Sequence, residues 1–281
     1  MYAITGASGK LGSHVAAQLL ARLPAEQVRL GSRQPDRIAS FAARGVETVA
    51  ADFDDPRSLT RLFAGRRVVL IISSDAPNDR RRAQHKAAFE AAQAAGVERI
   101  VYTSFTNPGI QSRFTVAASH AESEDMLHSL GVPVTILRNN LYAENIMIEA
   151  ARASGVLAQH GSFGKVAYIS RCDVAAATAG ALMEQGHANR VYEITGPTAV
   201  DHFQIAALLT KAWHREIRVM ELTLDEYAKA LAARGLPAFI IEVLTSLRAA
   251  MAAGEYASVS PDASRLAGRA IEPVDDFLRR A

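Results

Sequence analysis

A single cysteine, Cys172, in a chain of 281 residues excludes an internal disulfide framework and suits a reducing cytoplasm. No obvious activating base neighbours it, so a catalytic thiol is not expected. No apolar run is long enough to span a bilayer, and "MYAITG" enters a strand at once, so neither a membrane anchor nor a signal peptide is expected. An excess of one charge is also missing. The 31 basic and 29 acidic side chains leave a net charge of +2, without the global field that favours nucleic acid. The only basic run, Arg80-Arg81-Arg82, opens a predicted helix and reads as solvated surface, with an anion contact as the second reading. His14, His85, His128, His160, His187, His202 and His214 are scattered without metal-ligand spacing, so no metal site is expected. No Pro/Ser-rich linker, fixed-period repeat or low-complexity tract beyond Ala-rich helices divides the chain.

What remains is an ordinary globular composition, 49% hydrophobic and 21% charged, long enough for one large domain and a smaller one. Strand-like and helix-like segments alternate through the first half. "YAIT", "QVRLGSR", "VETVAAD", "RVVLIIS", "RIVYTS" and "VPVTILR" read as strands, each followed by a helical stretch or turn. "RVVLIIS" holds a continuous apolar run, as expected of a strand covered on both faces. The pattern predicts an α/β fold, a Rossmann-like doubly wound parallel sheet with right-handed crossovers. After residue 153 the rhythm changes. "GVLAQHG" and "KVAYIS" read as short strands around a Gly-rich turn, "RCDVAAATAGALMEQG" as a helix and "RVYEITG" as a strand. The expected organisation is a nucleotide-binding domain over 1–153 and a smaller, mostly helical lobe over 154–281, with 166–197 partly folding back onto the first.

"TGASGKLGSHV" places Gly6, Gly9 and Gly12 between the first strand and the first helix. Side chains there would block a pyrophosphate, and the helix start offers free N–H groups and a positive dipole end. The position at the head of a βαβ series is the context that gives the motif meaning. At the end of the second strand, where an acid would bind the ribose 2′-hydroxyl of NAD, the chain has Ser32 and Arg33. A guanidinium suits the 2′-phosphate of NADP and a carboxylate would repel it, so NADP(H) is the expected cofactor, with Arg33 its main selector and Ser32 a second contact. Asp52-Phe53 and Ser73-Ser74 end the third and fourth strands on the same crevice.

With the glycines, "RQPDR", "ADFDD", "LIISS" and "AAGVERIVYTS" in register, the chain resembles the NmrA-like branch of the short-chain dehydrogenase/reductase superfamily. Within it, the likeness is to the bacterial NADPH:quinone oxidoreductases, with triphenylmethane-dye reductases close behind. It runs on through "HAESEDML", "LRNNLYAENI" and "DVAAA". The resemblance implies an extended Rossmann domain, an NADPH site and a small C-terminal lobe over the nicotinamide. It maps the loop Thr5, Gly6, Ala7, Ser8, Gly9, Lys10 and Leu11, then Arg33, Ser73–Asp75 and Arg138–Tyr142, onto cofactor-contacting segments. The branch also contains NADP-binding redox sensors without turnover, which stands as the alternative function. Epimerase relatives are a third reading.

Ordinary members of the superfamily reduce carbonyls with a Ser–Tyr–Lys set, in which Tyr protonates the developing alkoxide. Here Thr103-Ser104 end the fifth strand where the Ser belongs, but the helix that should carry Tyr-x-x-x-Lys carries His120-x-x-x-Glu124. An alkoxide is about as basic as hydroxide, whose parent water has a pKa near 15.7, whereas a hydroquinone oxygen resembles tyrosine, near 10. The difference is worth about 8 kcal/mol. A quinone therefore tolerates the lost acid, and a cationic dye, whose charge hydride quenches, tolerates it further. The expected activity is hydride transfer from NADPH to a small quinone or aromatic acceptor. Two readings of His120 stand: proton donor, oriented or raised in pKa by Glu124, or a helix residue pairing with its i+4 neighbour. Asn139 or Asn140 is expected to hold the carboxamide beside Arg138. Tyr142 lines the acceptor pocket or belongs to the core. The loop "FTNPGIQSRFTVA" (105–117), with Phe105 and Phe114, is expected to be a mobile lid over a flat apolar slot. Oligomeric state is not legible in the sequence, a homodimer being the assembly entertained.

Overall fold

The structure, a computed structural model, describes residues 1–160 and 164–280. Its first half runs β1 (Tyr2–Ile4), α1 (Lys10–Leu20), β2 (Val28–Ser32), α2 (Ala39–Ala42), β3 (Glu47–Ala50), α3 (Pro56–Phe63), β4 (Val68–Ile72), α4 (Asn78–Ala94), β5 (Arg99–Phe105), α5 (Ala117–Ser129) and β6 (Val134–Asn139). The second half runs α6 (Ile148–Ser154), β7 (Val156–His160), α7 (Arg171–Met183), β8 (Arg190–Ile194), α8 (His202–Trp213), β9 (Arg218–Leu222), α9 (Leu224–Ala233), α10 (Ala238–Ala252), α11 (Asp262–Ala267) and α12 (Val274–Arg280). Seven strands form one parallel sheet in the order β3-β2-β1-β4-β5-β6-β8. The chain leaves β1 in one direction toward β2 and β3 and resumes on its other side at β4. The crevice outside the carboxyl ends of β1 and β4 is therefore the switch point, where such sheets take their ligands.

The period-2 alternation of each strand divides the core. Ile4, Leu30, Leu70, Val101 and Leu137 face α1 and α7, while Ala3, Val69, Ile71, Ile100 and Tyr102 face α3, α4 and α5. Burial of each Leu, Ile or Phe in these layers contributes about 1.5–3 kcal/mol. Asp55 caps α3, accepting from the Arg57 backbone N–H at 3.1 Å, with Pro56 in the first turn. Arg99, at the start of β5, donates to the carbonyls of Ala181 (2.7 Å) and Leu182 (2.9 Å), so its guanidinium serves the C-terminal end of α7.

Residues beyond β6 return to this framework and also leave it. α7 packs on α1, and β8 extends the sheet beside β6. β7 and β9 pair in parallel as a separate two-stranded ribbon. With α6, α8, α10 and α12 it encloses a second core that includes Leu157, Ile205, Leu209, Met251, Tyr256 and Leu278. "KVAYIS" is not a strand of its own. It makes single bridges, Tyr142 to Ile169 and Val166 to Val200, because it threads between the two cores rather than along a sheet edge. The turn expected at 161–163 lies outside the described residues. Among the described residues no helix is long and apolar enough to cross a membrane.

Candidate functional site

The carboxyl ends of β1 to β4 open onto one cleft of about 490 Å³. Gly6, Ser8, Gly9 and Lys10 form one wall, Arg33, Asp52 and Phe53 another, and Ser73, Ser74 and Asp75 the floor toward β5. The loop is shaped by its glycines. Gly6 has φ +63°, a left-handed conformation, and its carbonyl accepts from Gly9 N–H at 2.9 Å. A Cβ on Gly12 would lie 2.3 Å from that same carbonyl oxygen. Ala7, Leu11 and Gly12 therefore bring no side chain to the cleft, and Leu11 and Gly12 offer it only their backbone N–H groups at the start of α1. Ala7 and Leu11 are buried beneath the loop in the core, and Gly12 lets α1 approach it. Ser32 is also a support rather than a contact: its hydroxyl is buried and hydrogen-bonds Ser8 Oγ at 2.8 Å, tying the end of β2 to the loop.

Several features fit a phosphorylated dinucleotide here. α1 begins at Gly9 with no side-chain cap and no acid in its first turn, leaving its N–H groups to the cleft. Ser74 Oγ is buried without a hydrogen-bond partner. Arg33 stands exposed at the cleft mouth, joined by Arg37, which sequence reasoning missed, and by Arg80, for which an anion contact is the second reading of the sequence. Arg80 pairs with Asp54, which also accepts from Gln84 Nε2 at 2.9 Å and is held below the usual carboxylate range by these hydrogen bonds.

Beyond the cleft, the expected set at the ends of β5 and β6 divides. Thr103 Oγ1 accepts from Ser73 N–H at 2.9 Å, so it holds the floor rather than lining it. Asn140 is buried, donating to Tyr256 O at 3.0 Å and accepting from Leu141 N–H at 2.7 Å, which removes it as a carboxamide ligand. Arg138 is spent on Glu124, at 2.6 Å, and on Glu193, at 3.2 Å. Asn139 keeps Oδ1 buried and unpartnered, with Nδ2 3.4 Å from Tyr142 OH. Tyr142 is half-buried against the first core, with the Arg171 guanidinium 5.0 Å over its ring, and burial raises its phenol pKa.

His120 and Glu124 are four apart on α5 but not partners. Glu124 accepts from Ser104 Oγ at 2.6 Å and from Arg138, so its oxygens are taken. His120 Nδ1 instead lies 3.0 Å from Tyr102 OH, and burial lowers the imidazole pKa well below its usual value. Glu124 thus neither orients His120 nor raises its pKa, and the cationic acid role loses its basis. Tyr102 OH also approaches His85 Nδ1, at 3.3 Å, and His85, fully buried, is pushed down to about 3 by desolvation first and the Arg81 charge second. Phe105 stacks on His120, with ring centroids 6.1 Å apart and planes at 28°.

The loop between β5 and α5 is fastened rather than loose. Glu255 accepts from Asn107 Nδ2 (2.8 Å), Ser112 Oγ (2.5 Å) and Arg113 N–H (2.9 Å), while Thr115 bonds Ser246. Phe114 is buried in the second core, 5.2 Å from the Phe105 ring. Of the two aromatics, Phe105 alone stays partly open.

This chain matches the NAD(P)H-binding family over residues 6–185. It is 36% identical to quinone oxidoreductase 2 of Escherichia coli strain K12 over 270 residues, 95% of this chain and 94% of that one. The chain belongs to the NmrA-like, NAD(P)H-binding family. The crystal structure of the NADPH-dependent quinone oxidoreductase from Escherichia coli complexed with NADPH superposes with a TM-score of 0.94 at 34% identity, covering 100% of this chain and 99% of that one. The Citrobacter sp. triphenylmethane reductase complexed with NADP(H) gives 0.93 at 29%, covering 100% of both.

The buried imidazoles of this family member have a consequence for stability. Both titrate lower folded than unfolded, so the unfolded chain binds more protons as pH falls below about 6.5. The stability they leave intact at pH 7 is lost on acidification, progressively from about pH 6.5 down toward the folded pKa of His85, about 3. Urea unfolding at pH 7.0, 6.0 and 5.0 is expected to show this loss, and His85→Gln a shallower slope. A midpoint constant over that range would contradict the burial of neutral imidazoles.

Proposed function

We propose that the chain is an NADPH-dependent reductase that passes hydride directly to a quinone or comparable conjugated aromatic acceptor. The observation that carries this reading is the state of His120 and Glu124. At the places where a carbonyl reductase keeps its proton donor and the Lys that activates it, one group is neutral and buried and the other is locked to Ser104 and Arg138. The reduced nicotinamide, when bound, supplies the hydride. The chain's own residues bind and orient: the glycine loop and the start of α1 for the pyrophosphate, Arg33 with Arg37 and Arg80 for the 2′-phosphate, Ser74 and Asn139 for polar groups nearer the ring. Phe105 gives the acceptor an apolar face. The named activities of the quinone oxidoreductase and the triphenylmethane reductase support the same acceptor class.

A reducing cytoplasm is the proposed location, consistent with Cys172 as a free, exposed thiol. A homodimer is the proposed assembly, to be read by light scattering. NADPH and NADH oxidation, followed in parallel under anaerobic conditions with a small naphthoquinone, tests the activity. The expected result is stoichiometric hydroquinone formation with a preference for NADPH. Tight NADPH binding without turnover would instead favour a cofactor sensor.

A further inference from the structure

A chain of buried polar groups runs from the floor of the cleft, at Ser74, to His120 on α5. The Ser74 backbone N–H can only donate, and it points at His85 Nε2 from 3.2 Å. That nitrogen is therefore an acceptor, and the proton of the neutral His85 ring sits on Nδ1. Nδ1–H donates to Ser123 Oγ at 2.8 Å, whose own proton goes to Ser119 O at 2.7 Å. Tyr102 OH lies between His85 Nδ1, already protonated, and His120 Nδ1 at 3.0 Å, with the Ser73 and Ser123 hydroxyls as its other neighbours; an imidazole nitrogen is a stronger acceptor than either hydroxyl, which assigns the phenol proton to His120. His120 then carries its proton on Nε2. Among the described residues no hydrogen bond engages that Nε2, although the side chain is only 6% exposed and lies against Phe105.

The charged groups around this chain hold it in one state. Arg81, buried on α4, donates from Nε to Ser74 O at 2.9 Å and from Nη1 to Asn78 Oδ1 at 3.1 Å, and among the described residues it forms no ion pair. Its cation disfavours a second charge on either imidazole. From α5, Glu124 is committed to Ser104 and Arg138. From β5, Tyr102 is kept as the phenol by burial.

We infer that Tyr102 and His85 are positioning residues that lock His120 as its Nε2–H tautomer, making it a hydrogen-bond donor to the acceptor's oxygen and not a proton donor. This rests on the quinone-reductase reading. The hydride carries two electrons to the quinone and gives the hydroquinone monoanion. Nε2–H stabilises the oxygen on which that charge develops and keeps its own proton, and the balancing proton comes from water. A cationic triarylmethane dye bearing only amino substituents has no such oxygen, so its reduction should not depend on the lock.

That contrast supplies the test. Tyr102→Phe keeps the ring and removes the hydroxyl. It is expected to lower kcat/KM for a naphthoquinone about tenfold, while NADPH affinity and kcat/KM for the dye stay within about twofold. The wild-type quinone rate should show no inflection between pH 6 and 8. Equal loss for both acceptors would reduce Tyr102 to a packing role, and no loss for either would remove the lock. Nitrogen-15 shifts of His120 decide the tautomer without turnover: Nε2–H is expected, and Nδ1–H or a cation would overturn the inference. Wild-type protein inert toward both acceptors would overturn the reductase reading instead.

Discussion

Arg33→Ala is expected to raise the NADPH dissociation constant about 10- to 100-fold and to leave that of NADH within about twofold. A hydrogen bond to a charged group contributes about 1.5–3 kcal/mol, and the two cofactors differ only at the 2′-position. Arg33 is exposed at the cleft mouth, at the end of β2, where an acid would serve NAD. Arg37 and Arg80 line the same cleft, so the effect should fall short of complete loss. Arg80 is already paired with Asp54 and makes the weaker substitute. Fluorescence titration of both cofactors against both proteins checks this. Equal weakening of NADPH and NADH would mean that Arg33 shapes the loop instead of reading the phosphate.

The second large effect belongs to Gly12. Its α-carbon packs so near the loop that an added Cβ would lie 2.3 Å from Gly6 O and 2.9 Å from Ala7 Cα, both backbone atoms. Neither can turn away as a side-chain end would, and the Gly6 carbonyl is already used by Gly9 N–H. Overpacking of this kind costs about 1–3 kcal/mol and is relieved only by moving the loop or α1. Gly12→Ala is therefore expected to lower cofactor affinity roughly 100-fold at the upper end of that range. Gly9→Ala, whose Cβ would sit 3.1 Å from the same oxygen, should cost less. Circular dichroism distinguishes a displaced loop from a lost fold. Wild-type affinity in Gly12→Ala would contradict the account of the loop.

The fold was legible because both of its periodicities are strong. The continuous apolar run of β4 and the alternation of glycine, strand and helix at the start leave few other arrangements, and the parallel sheet follows. The site was read less completely, for a physical reason. Arg80, Arg81 and Arg82 are consecutive in sequence, yet successive helix positions turn by about 100°. They reach the cleft, the buried floor and the solvent-facing acids Asp79 and Glu122, respectively. One basic run thus holds three environments. His85 looked like one scattered histidine among several because its partners, Ser74, Tyr102 and Ser123, come from the end of β4, from β5 and from α5. Spacing cannot reveal such a cluster. The i, i+4 relation of His120 and Glu124 was real on the helix, but Ser104 and Arg138 from neighbouring strands outcompeted it for the carboxylate.

Without a proton donor for the acceptor, the chain should discriminate sharply between acceptors. A naphthoquinone and a ketone of the same bicyclic skeleton differ little in shape but by about 8 kcal/mol in the basicity of the oxygen formed. With NADPH saturating, kcat/KM for the quinone should exceed that for the ketone by at least about 10,000-fold. Ketone reduction within about tenfold of the quinone rate would show that the chain supplies a proton after all, and would contradict the account.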